Sequence, residues 1–490
     1  MLMKKNHLFT CSKMICLALI GATTFFLASC ADHYDGDESW SSSVRNAQLE
    51  SPAESAIRVV DSSDGGSLEI DWDVVFGAGG YAVKVVDCTS PDNEVVILDK
   101  VVDGCNVTAN REEDANYRIE IRALGNEKYN NKEATSATVK TYTTCLESNG
   151  TIPAGDIKDF FDSYQWPETI GDTLCFDLLP DADYTISGVV DLGGHWVNLR
   201  CNDKHKKANL TFGAEGKFVT NGGLLLKYLN IDASQTKKPL VSLSSTPDES
   251  QHVYDETLSS NSYYFLKGAT GYQSCNIKSL GSTLFGEEAS IKYDVRVFRL
   301  VDCLVEVFKS AENPNKTDDS VIGIKNASYV TDFVVKNSTV YSLEKWGKAF
   351  ITYGGRPKDI NTEELQKMTF ENSTFYQISY NTNFRGDTKT QGQKTNYFTV
   401  IGCIIFDTGK KNFCNSLLRQ NSTNPTVKYS KNTYWWGGAD VSADQTSDGG
   451  DKSGSALHTD PAFKDTENGD FTPTGSEQVE NKTGDPRWFN

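Results

Sequence analysis

The stretch Val335-Lys336-Asn337-Ser338-Thr339-Val340 decides the fold, because its pattern returns along the second half of the chain. The pattern is an apolar residue, any residue, a polar residue or glycine, a small residue, any residue and an apolar residue. Copies begin at positions 300, 335, 370, 400 and 429, and a separate, earlier copy begins at Leu226. A period of about 20–50 residues with one strand–turn–strand signature is typical of a stacked solenoid. We therefore predict a parallel β-helix over residues 150–490.

The corner of each predicted coil carries the polar residue of the pattern. Asn337 and Asn372 occupy equivalent corners, and asparagine tolerates a left-handed bend and can hydrogen-bond to its surroundings. The apolar residues on either side then point into a central column. A β-sandwich would also contain alternating strands, but it would not repeat one corner at a nearly constant spacing.

Residues 52–145 carry a different pattern, in which short alternating strands are separated by turn signals. Leu68-Glu69-Ile70-Asp71-Trp72 alternates, and residues 81–86, 117–123 and 137–142 alternate again. Such spacing over about 90–100 residues predicts a β-sandwich, with Trp72 in its core. The predicted fold class is therefore all-β, with a sandwich followed by a β-helix.

The composition is that of an acidic, globular protein. The 490 residues include 48 Lys plus Arg against 66 Asp plus Glu, for a formal net charge of -18, and 11% are aromatic. A disordered chain would be poorer in aromatic residues. Nucleic acid is not an expected partner, because phosphate binding needs a clustered positive surface.

Residues 1–29 have the features of an export signal. Lys4, Lys5 and Lys13 precede an uncharged stretch at 14–28. This stretch is shorter than the roughly 20 residues that span a membrane, and it ends in small residues. Without residues 1–29 the mature chain has 45 basic and 66 acidic residues, so its net charge is 45 - 66 = -21.

The end of the signal, Leu27-Ala28-Ser29-Cys30, resembles the lipobox of bacterial lipoproteins. The resemblance implies cleavage before Cys30, lipidation of that cysteine and anchoring in the outer membrane. Four acidic residues within 31–38 resemble the export tag of surface lipoproteins in Bacteroidota, which implies that the protein faces the cell surface. Residues 30–51 would then form an acidic tether. The alternatives are a plain secretory signal with an incidental cysteine, and an ordinary solvated linker.

Two further resemblances concern the folds. Trp72, the run Gly77-Ala78-Gly79-Gly80-Tyr81 and the segment from Tyr117 to Gly125 resemble a fibronectin type III domain. Apolar residues at 157, 160, 161 and 164 predict a helix over 156–164. Together with the run that follows it, this helix resembles the start of right-handed, pectate-lyase-like β-helices, where a short N-terminal helix caps the column and covers an open sheet edge.

The mature chain as a whole resembles a group of Bacteroidota lipoproteins that accompany polysaccharide-utilisation systems. The resemblance implies a polysaccharide partner and, as further partners, proteins of a glycan-uptake system. It is carried by structural motifs, so no established catalytic residue can be transferred to this sequence.

A basic residue is the first requirement for a β-helix lyase, because it removes the proton beside a uronate carboxylate. We name Arg356, Arg385 and Lys348 as candidate catalytic residues. The two arginines lie 29 residues apart, about one coil, so they could share a face. The alternative is that these loop residues are solvated or paired with acids.

No metal site is predicted from the sequence. Asp302 is isolated, no acid triplet repeats on successive coils, and the six histidines are scattered. Calcium is expected only if the protein is a lyase, and it would then be held by oxygen ligands on neighbouring coils. No other cofactor is identified.

Three tryptophans are the candidate substrate-binding residues. Trp435 and Trp436 follow Tyr434, and three consecutive rings cannot all be buried on alternating faces. Trp346 lies between Lys345 and Lys348, where it could contact a charged sugar. The alternative is that these rings cover the last coils of the column.

Nine cysteines remain after the signal and Cys30 are set aside. The set is odd and contains no CxxC pair, so it indicates neither a zinc site nor a full disulfide framework. Several lie in strand-like apolar runs, where a thiol behaves as a small hydrophobe. Cys88 with Cys105 is the one pair considered for a bridge.

These observations together predict a lipid-anchored cell-envelope protein that binds a polysaccharide for capture or degradation. The alternatives are a polysaccharide lyase that cleaves a uronate-containing glycan by β-elimination, and a protein-binding adhesin. An acid ladder close to Arg356 or Arg385 would favour the lyase. An exposed surface of Trp346 and Trp436 without such acids would favour binding.

Overall fold

A computed structural model describes residues 45–63, 65–90, 92–254, 256, 262–307, 320–326, 328–354, 366–386, 396–418, 425–441 and 449–489. The chain divides into two compact units, one ending at Thr144 and the other beginning at Cys145. The predicted signal, the lipidation candidate Cys30 and the basic candidate Arg356 lie outside the described residues. Within those ranges, no helix combines the length and the apolar character needed to cross a membrane.

Two antiparallel sheets form the first unit. Its described strands, numbered along the chain, are β1 Ile57–Asp61, β2 Ser67–Trp72, β3 Tyr81–Asp87, β4 Val95–Val102, β5 Asn106–Asn110, β6 Asn116–Ala123 and β7 Thr138–Thr143. One sheet has the order β1-β2-β5 and the other β4-β3-β6-β7. The four strands expected from sequence alternation correspond to β2, β3, β6 and β7. Short 3-10 helices lie at Glu54–Ala56 and Glu127–Tyr129.

Side chains from both sheets make the core of this unit. Trp72 on β2 is only 2% exposed, and its ring meets the edge of Tyr81 on β3 with centroids 5.3 Å apart. Ile70, Val83 and Ile119 belong to the same buried cluster. Trp72 is therefore a core residue, as the alternating pattern predicts.

The end of the predicted tether packs against the first unit instead of extending freely. The N–H of Asn46 donates to the carbonyl of Tyr129 at 2.9 Å, and that of Leu49 donates to Lys132 at 3.0 Å. Leu49 is 6% exposed. The described residues 45–51 thus belong with the sandwich, because an apolar side chain in the acidic segment finds a buried site there.

Ten coils of parallel strands form the described part of the second unit. Sheet I consists of β8 Ser148–Ile152, β10 Leu174–Leu178, β13 Trp196–Cys201, β16 Gly223–Lys227, β21 Thr270–Gln273, β24 Tyr293–Val301, β27 Tyr329–Lys336, β30 Gln366–Glu371, β32 Asn396–Ile401 and β34 Thr426–Ser430. Sheet II consists of β9 Gly155–Asp156, β11 Asp183–Ile186, β14 Ala208–Phe212, β17 Leu229–Asp232, β22 Asn276–Leu280, β25 Leu304–Val307, β28 Thr339–Tyr341, β31 Thr374–Tyr376, β33 Ile404–Phe406 and β35 Thr433–Trp435. Sheet III consists of β12 Val189–Asp191, β15 Lys217–Thr220, β18 Val241–Leu243, β23 Phe285–Glu287, β26 Ile322–Ile324 and β29 Ile351–Tyr353. The predicted all-β fold with a parallel β-helix is confirmed.

The corner between sheets I and II has the left-handed backbone that the repeat predicts. Asn337 and Asn372 have φ angles of 49° and 44°. The same position in the other coils is occupied by Asp302, Gly402 and Lys431, with φ angles of 53°, 63° and 52°. The N–H groups of the first four corners donate to carbonyls of the next coil, as from Asn337 to Glu371 at 3.0 Å, whereas that of Lys431 donates to the hydroxyl of Ser455 at 2.9 Å. The repeated polar or glycine position is therefore a requirement of the backbone.

One further copy of the pattern begins at Tyr272, 28 residues before the copy at Leu300. Tyr272-Gln273-Ser274-Cys275-Asn276-Ile277 matches the pattern, and Ser274 has φ 51° at the corner. An inserted hairpin of β19 His252–Tyr254 and β20 Ser262–Leu266 precedes it and interrupts the period. Strand β20 also pairs in parallel with the long strand β24, so the insertion widens sheet I.

Helix α1 Ile157–Ser163 lies between β9 and β10, close to the predicted span. Asp156 caps its N-terminus by accepting a hydrogen bond from the Lys158 N–H at 3.0 Å. The helix buries Ile157 and Phe161 in the apolar column and contacts β12, the first strand of sheet III. A helix of seven residues is too short to be stable alone, so packing of its apolar face against the column stabilises it.

A C-terminal segment, residues 457–489, lies across the outward face of sheet II in the last coils. It contains β36 Phe463–Asp465, β37 Asp470–Pro473, helix α3 Ser476–Asn481 and the 3-10 helices Thr466–Asn468 and Pro486–Trp488. The remaining regular elements are helix α2 Phe413–Leu418 and the 3-10 helix Glu249–Gln251. Phe471 contacts Tyr341 and Tyr376, with ring centroids 4.7 and 5.2 Å apart. The outward residues of sheet II are apolar or threonine here because this segment covers them.

Candidate functional site

The corner that follows sheet II brings four side chains from the last coils together. Lys345 follows β28, Tyr380 follows β31, Asp407 follows β33 and Trp436 follows β35. The four strands end in register, with Tyr341, Tyr376, Phe406 and Trp435 as neighbours. We call the set of Lys345, Tyr380, Asp407 and Trp436 the aromatic corner.

Two rings of the aromatic corner stack face to face. The centroids of Tyr380 and Trp436 are 5.1 Å apart, and their planes differ by 4°. The Lys345 ammonium lies 4.6 Å from the centroid of Tyr380, within the range of a cation–π interaction. Tyr380 and Trp436 are partly exposed and Lys345 is exposed. Partly exposed aromatic rings and a positive charge thus lie together at one place.

Backbone hydrogen bonds hold the rings in position. The Trp346 N–H donates to the carbonyl of Gln377 at 2.9 Å, and the Tyr380 N–H donates back to the carbonyl of Trp346 at 2.7 Å. Lys345, Gln377 and Ser379 have φ angles of 55–56°. The reciprocal pair of hydrogen bonds joins two coils, so Tyr380 is placed by the solenoid rather than by a free loop.

Asp407 supplies a buried carboxyl to the aromatic corner. It is 8% exposed, and burial raises its pKa above the usual 3.8, although the charge of Lys345 and the N–H of Gly437 oppose the rise. A carboxyl with a raised pKa near an accessible surface is a feature that clusters at functional sites. Here it can exchange hydrogen bonds with hydroxyl groups of a ligand.

The tryptophans named from the sequence have different positions. Trp436 lies in the aromatic corner, and Trp435 is partly exposed at the end of β35. Trp346 is 1% exposed and belongs to the core of the β-helix. The expected surface position of Trp346 is therefore wrong, because the left-handed residue Lys345 turns the next side chain inward.

Arg385 is also buried, which removes it from the expected basic face. It is 0% exposed, and its guanidinium donates to the carbonyls of Leu417 and Leu418 at 2.8 and 2.7 Å. The guanidinium also lies 5.5 Å from the ring centroid of Phe398. Lys348 is exposed near the aromatic corner in sequence. A shared catalytic face of Arg356 and Arg385 is thus not supported, since Arg385 stabilises helix α2 from inside.

Metal ligands do not gather in the part of the chain that the structure describes. No group of three or more His, Cys, Asp or Glu side chains there could hold a metal ion. Calcium would need six to eight oxygen ligands. The described residues therefore offer no acid ladder of the kind that would favour a lyase.

The sequence analysis does not name Tyr380 and Asp407 as candidate binding residues, although their positions relative to the repeated pattern relate them to the other two residues of the aromatic corner. Lys345 and Tyr380 each stand ten residues after the first residue of their pattern copies, at 335 and 370. Asp407 and Trp436 each stand seven residues after theirs, at 400 and 429. Equal offsets in a solenoid mean equal places in the coil, so alignment on the corner pairs Lys345 with Tyr380 and Asp407 with Trp436.

Two family models match parts of the chain. DUF4992, a domain of unknown function, matches residues 3–179, and DUF5123, also a domain of unknown function, matches residues 368–488. Each match spans less than half of the 490 residues. The second includes Tyr380, Asp407 and Trp436. A comparison with curated proteins gives no match.

One solved structure to which this chain is similar is that of pectate lyase PelI from Erwinia chrysanthemi. It is 10% identical, with 72% of this chain and 85% of that chain covered, and the TM-score is 0.14. The parallel β-helix of this chain is defined by the pairing of its own strands in sheets I, II and III.

Proposed function

We propose that this protein binds a polysaccharide through the aromatic corner, at the cell envelope, for capture or degradation of the glycan. The observation that carries the proposal is the stack of Tyr380 and Trp436 with Lys345 on its end. Flat aromatic faces suit the apolar C–H faces of sugar rings, and the ordered backbone gives the rings little freedom to lose on binding.

The charge of Lys345 suits a glycan that carries carboxylates. The mature chain has a net charge of -21, so a lysine beside the rings offers local attraction that the protein as a whole does not. Asp407, near Lys345 and Gly437, adds a carboxyl to the aromatic corner. Trp435, the last residue of β35, is also partly exposed and precedes Trp436.

The first unit is proposed as a fibronectin type III-like spacer. Its three- and four-stranded antiparallel sheets support this, as does Tyr117 at the start of β6. The Tyr117 hydroxyl accepts a hydrogen bond from the Glu112 N–H at 2.7 Å, which is the tyrosine corner of such sandwiches. The right-handed sense of the coils and the capping role of α1 are part of the same proposal.

Anchoring by a lipidated Cys30 in the outer membrane, with the body facing the cell surface, completes the proposal. It is supported by the sequence at Leu27-Ala28-Ser29-Cys30 and by the acidic residues that follow. Proteins of a glycan-uptake system would then be its neighbours. Labelling the expressing cells with radioactive palmitate, with a Cys30→Ala chain as the control, tests the lipid attachment.

The glycan assay uses the mature chain from residue 31 and a panel of plant and host polysaccharides, with and without calcium. Retention on each glycan is measured together with the ultraviolet absorbance of unsaturated uronate products. We expect retention without product, and retention that is lost in Trp436→Ala. Tyr254→Ala is the matched control, because it removes an aromatic ring that is 62% exposed on the inserted hairpin.

The other outcomes identify the alternatives. Formation of unsaturated product would replace binding with β-elimination. Retention by protein partners and by no glycan would indicate an adhesin. Equal retention of the Trp436→Ala and unaltered chains would contradict the aromatic corner as the binding surface.

A further inference from the structure

A row of small buried residues runs along the inside of the corner between sheets I and II. Each member follows the left-handed corner residue of its coil and is 0% exposed. The row consists of Cys275, Cys303, Ser338, Ser373, Cys403 and Asn432. Its members hydrogen-bond from coil to coil, as from the Cys303 N–H to the Ser338 hydroxyl at 3.0 Å.

Cys275 and Cys303 are adjacent in this row. The residues that follow them, Asn276 and Leu304, are direct partners in sheet II, and the Leu304 N–H donates to the Cys275 carbonyl at 2.9 Å. Neighbouring strands lie about 4.8 Å apart, which falls in the range of about 4.4–6.8 Å that separates the Cα atoms of disulfide-bonded cysteines. Both side chains belong to the same buried column, so a bridge would join neighbouring positions of adjacent coils.

The thiols of Cys275 and Cys303 influence each other, and their surroundings shift the two pKa values in opposite directions. Burial alone would raise the pKa of Cys275, but the hydrogen bond with Cys303, backbone N–H groups and the charge of Lys207 outweigh burial and lower that pKa. Burial holds the pKa of Cys303 well above its usual range. The attacking group in a thiol–disulfide exchange is a thiolate, so a lowered pKa favours Cys275 as the first cysteine to react.

We propose that Cys275 and Cys303, which are free thiols in this structure, form a disulfide bridge when the chain folds with a disulfide oxidant. The Cys275 thiolate attacks one sulfur of the oxidant, forming a mixed disulfide and releasing one thiol. The Cys303 thiolate then attacks the Cys275 sulfur, and the second thiol leaves. The protein loses two protons and two electrons, and the oxidant is reduced to two thiols.

The place of the bridge suggests what it does. Cys275 lies in the coil that follows the inserted hairpin β19–β20, where the connection to the preceding coil is longest. A bridge to Cys303 would hold this coil to the next one while the column assembles. The proposal does not depend on the glycan-binding role, because it uses only the interior of the β-helix.

Mass spectrometry tests the bridge on the unaltered chain. The mature chain is refolded with oxidised glutathione, then denatured, alkylated and digested. We expect a linked Cys275–Cys303 peptide and a protein mass lower by two hydrogens. Cys403 is the internal control, because it is as deeply buried but has Ser373 and Asn432 as its neighbours in the row. It should be fully alkylated.

A variant separates the bridge from simple burial. Cys303→Ser should fold, because Ser338 occupies the same place in the next coil, and oxidant should not change its unfolding temperature. The unaltered chain should unfold a few degrees lower after reduction. Full alkylation of Cys275 and Cys303 in the refolded chain, or a glutathione adduct on Cys275 with Cys303 still free, would overturn the proposal, whatever the variant does.

Discussion

The carboxylate of Asp485 accepts a hydrogen bond from the hydroxyl of Thr339 at 2.8 Å, although 146 residues separate them. The Arg487 Nε donates to the same carboxylate oxygen at 2.6 Å, and the Trp488 indole donates to Thr339 at 2.8 Å. Asp485 is 1% exposed. The C-terminal segment is thus fastened to strand β28 of sheet II by a buried carboxylate, and its attachment should depend on pH.

Replacing Asp485 with asparagine tests this dependence. Burial raises the pKa of Asp485 from 3.8 to about 6, against the opposing effect of Arg487. A carboxyl whose pKa is raised by folding contributes stability that is fully present below pH 3.8 and is lost as the pH rises through about 6. Relative to Asp485→Asn, the unaltered chain should gain up to about 3 kcal/mol in free energy of unfolding between about pH 7.5 and pH 4. Urea unfolding at both pH values measures the difference.

The control for Asp485 is Asp159→Asn, which removes an exposed carboxyl on α1. The same measurement on this variant shows how the loss of an exposed carboxyl alters the free energy of unfolding at the two pH values. A constant difference between Asp485→Asn and the unaltered chain across the same range would show that the buried carboxyl does not set the pH dependence.

His458 should make the folded chain less stable at low pH, whereas Asp485 should make it more stable there. Its ring lies 6.0 Å from that of Tyr434, and neither ring nitrogen has a hydrogen-bond partner in the part of the chain that is described. Burial lowers the pKa of His458 below 6.5, although Asp451 and Asp440 oppose this. A base with a lowered pKa binds its proton less readily in the folded chain, so stability falls as the pH falls below about 6.5.

In His458→Phe the ring remains but the titration is gone. We expect this variant to lose less stability than the unaltered chain between about pH 7.5 and pH 5.5, as measured by urea unfolding. His205→Phe, at an exposed position, is the control. If the free energy of unfolding of both variants changes with pH as much as that of the unaltered chain, the partly buried His458 does not contribute to acid sensitivity.

Local backbone requirements explain why the fold can be predicted from the sequence. A left-handed corner accepts few residue types, so the recurrence of Asn337, Asn372 and Gly402 is visible without any structure. At Gly402 a Cβ would lie 2.5 Å from the Asn372 side-chain oxygen, which adds a steric reason for glycine. The coil at Tyr272 meets the same local requirement and begins 28 residues before the copy at Leu300, so the sequence contains the signal for it as well, and the hairpin insertion lengthens only the step from Leu226.

The candidate site could not be predicted to the same extent, because contacts between coils decide it. Trp346 has the sequence neighbours of an exposed ring, yet the left-handed backbone at Lys345 turns it inward. Arg385 is buried because carbonyls 32 and 33 residues later accept its hydrogen bonds. Neither the direction of a corner side chain nor a distant carbonyl partner leaves a mark in the local sequence.

Asn337 provides a direct test of the corner. Its φ angle is 49°, and a β-branched residue is strongly disfavoured there. We expect Asn337→Val to lower the free energy of unfolding by about 1–3 kcal/mol, whereas Asn337→Gly should stay within about 1 kcal/mol of the unaltered chain. Urea unfolding of both variants checks this. Equal losses would mean that the asparagine side chain, and not the backbone, stabilises the corner.

Lys345 should separate charged from neutral glycans. Its ammonium lies over the ring of Tyr380, so Lys345→Gln removes attraction for a carboxylate while both rings of the stack remain. We expect about a tenfold loss of affinity for a uronate-containing glycan at low salt, or about 1.4 kcal/mol, and less at high salt because ions screen the charge. Trp436→Ala should weaken binding of neutral and charged glycans alike. Lys278→Gln, which removes an exposed lysine from β22, is the control. Calorimetric titrations with one neutral and one uronate-containing glycan distinguish the effects, and equal losses in Lys345→Gln and Lys278→Gln would exclude a specific role for Lys345.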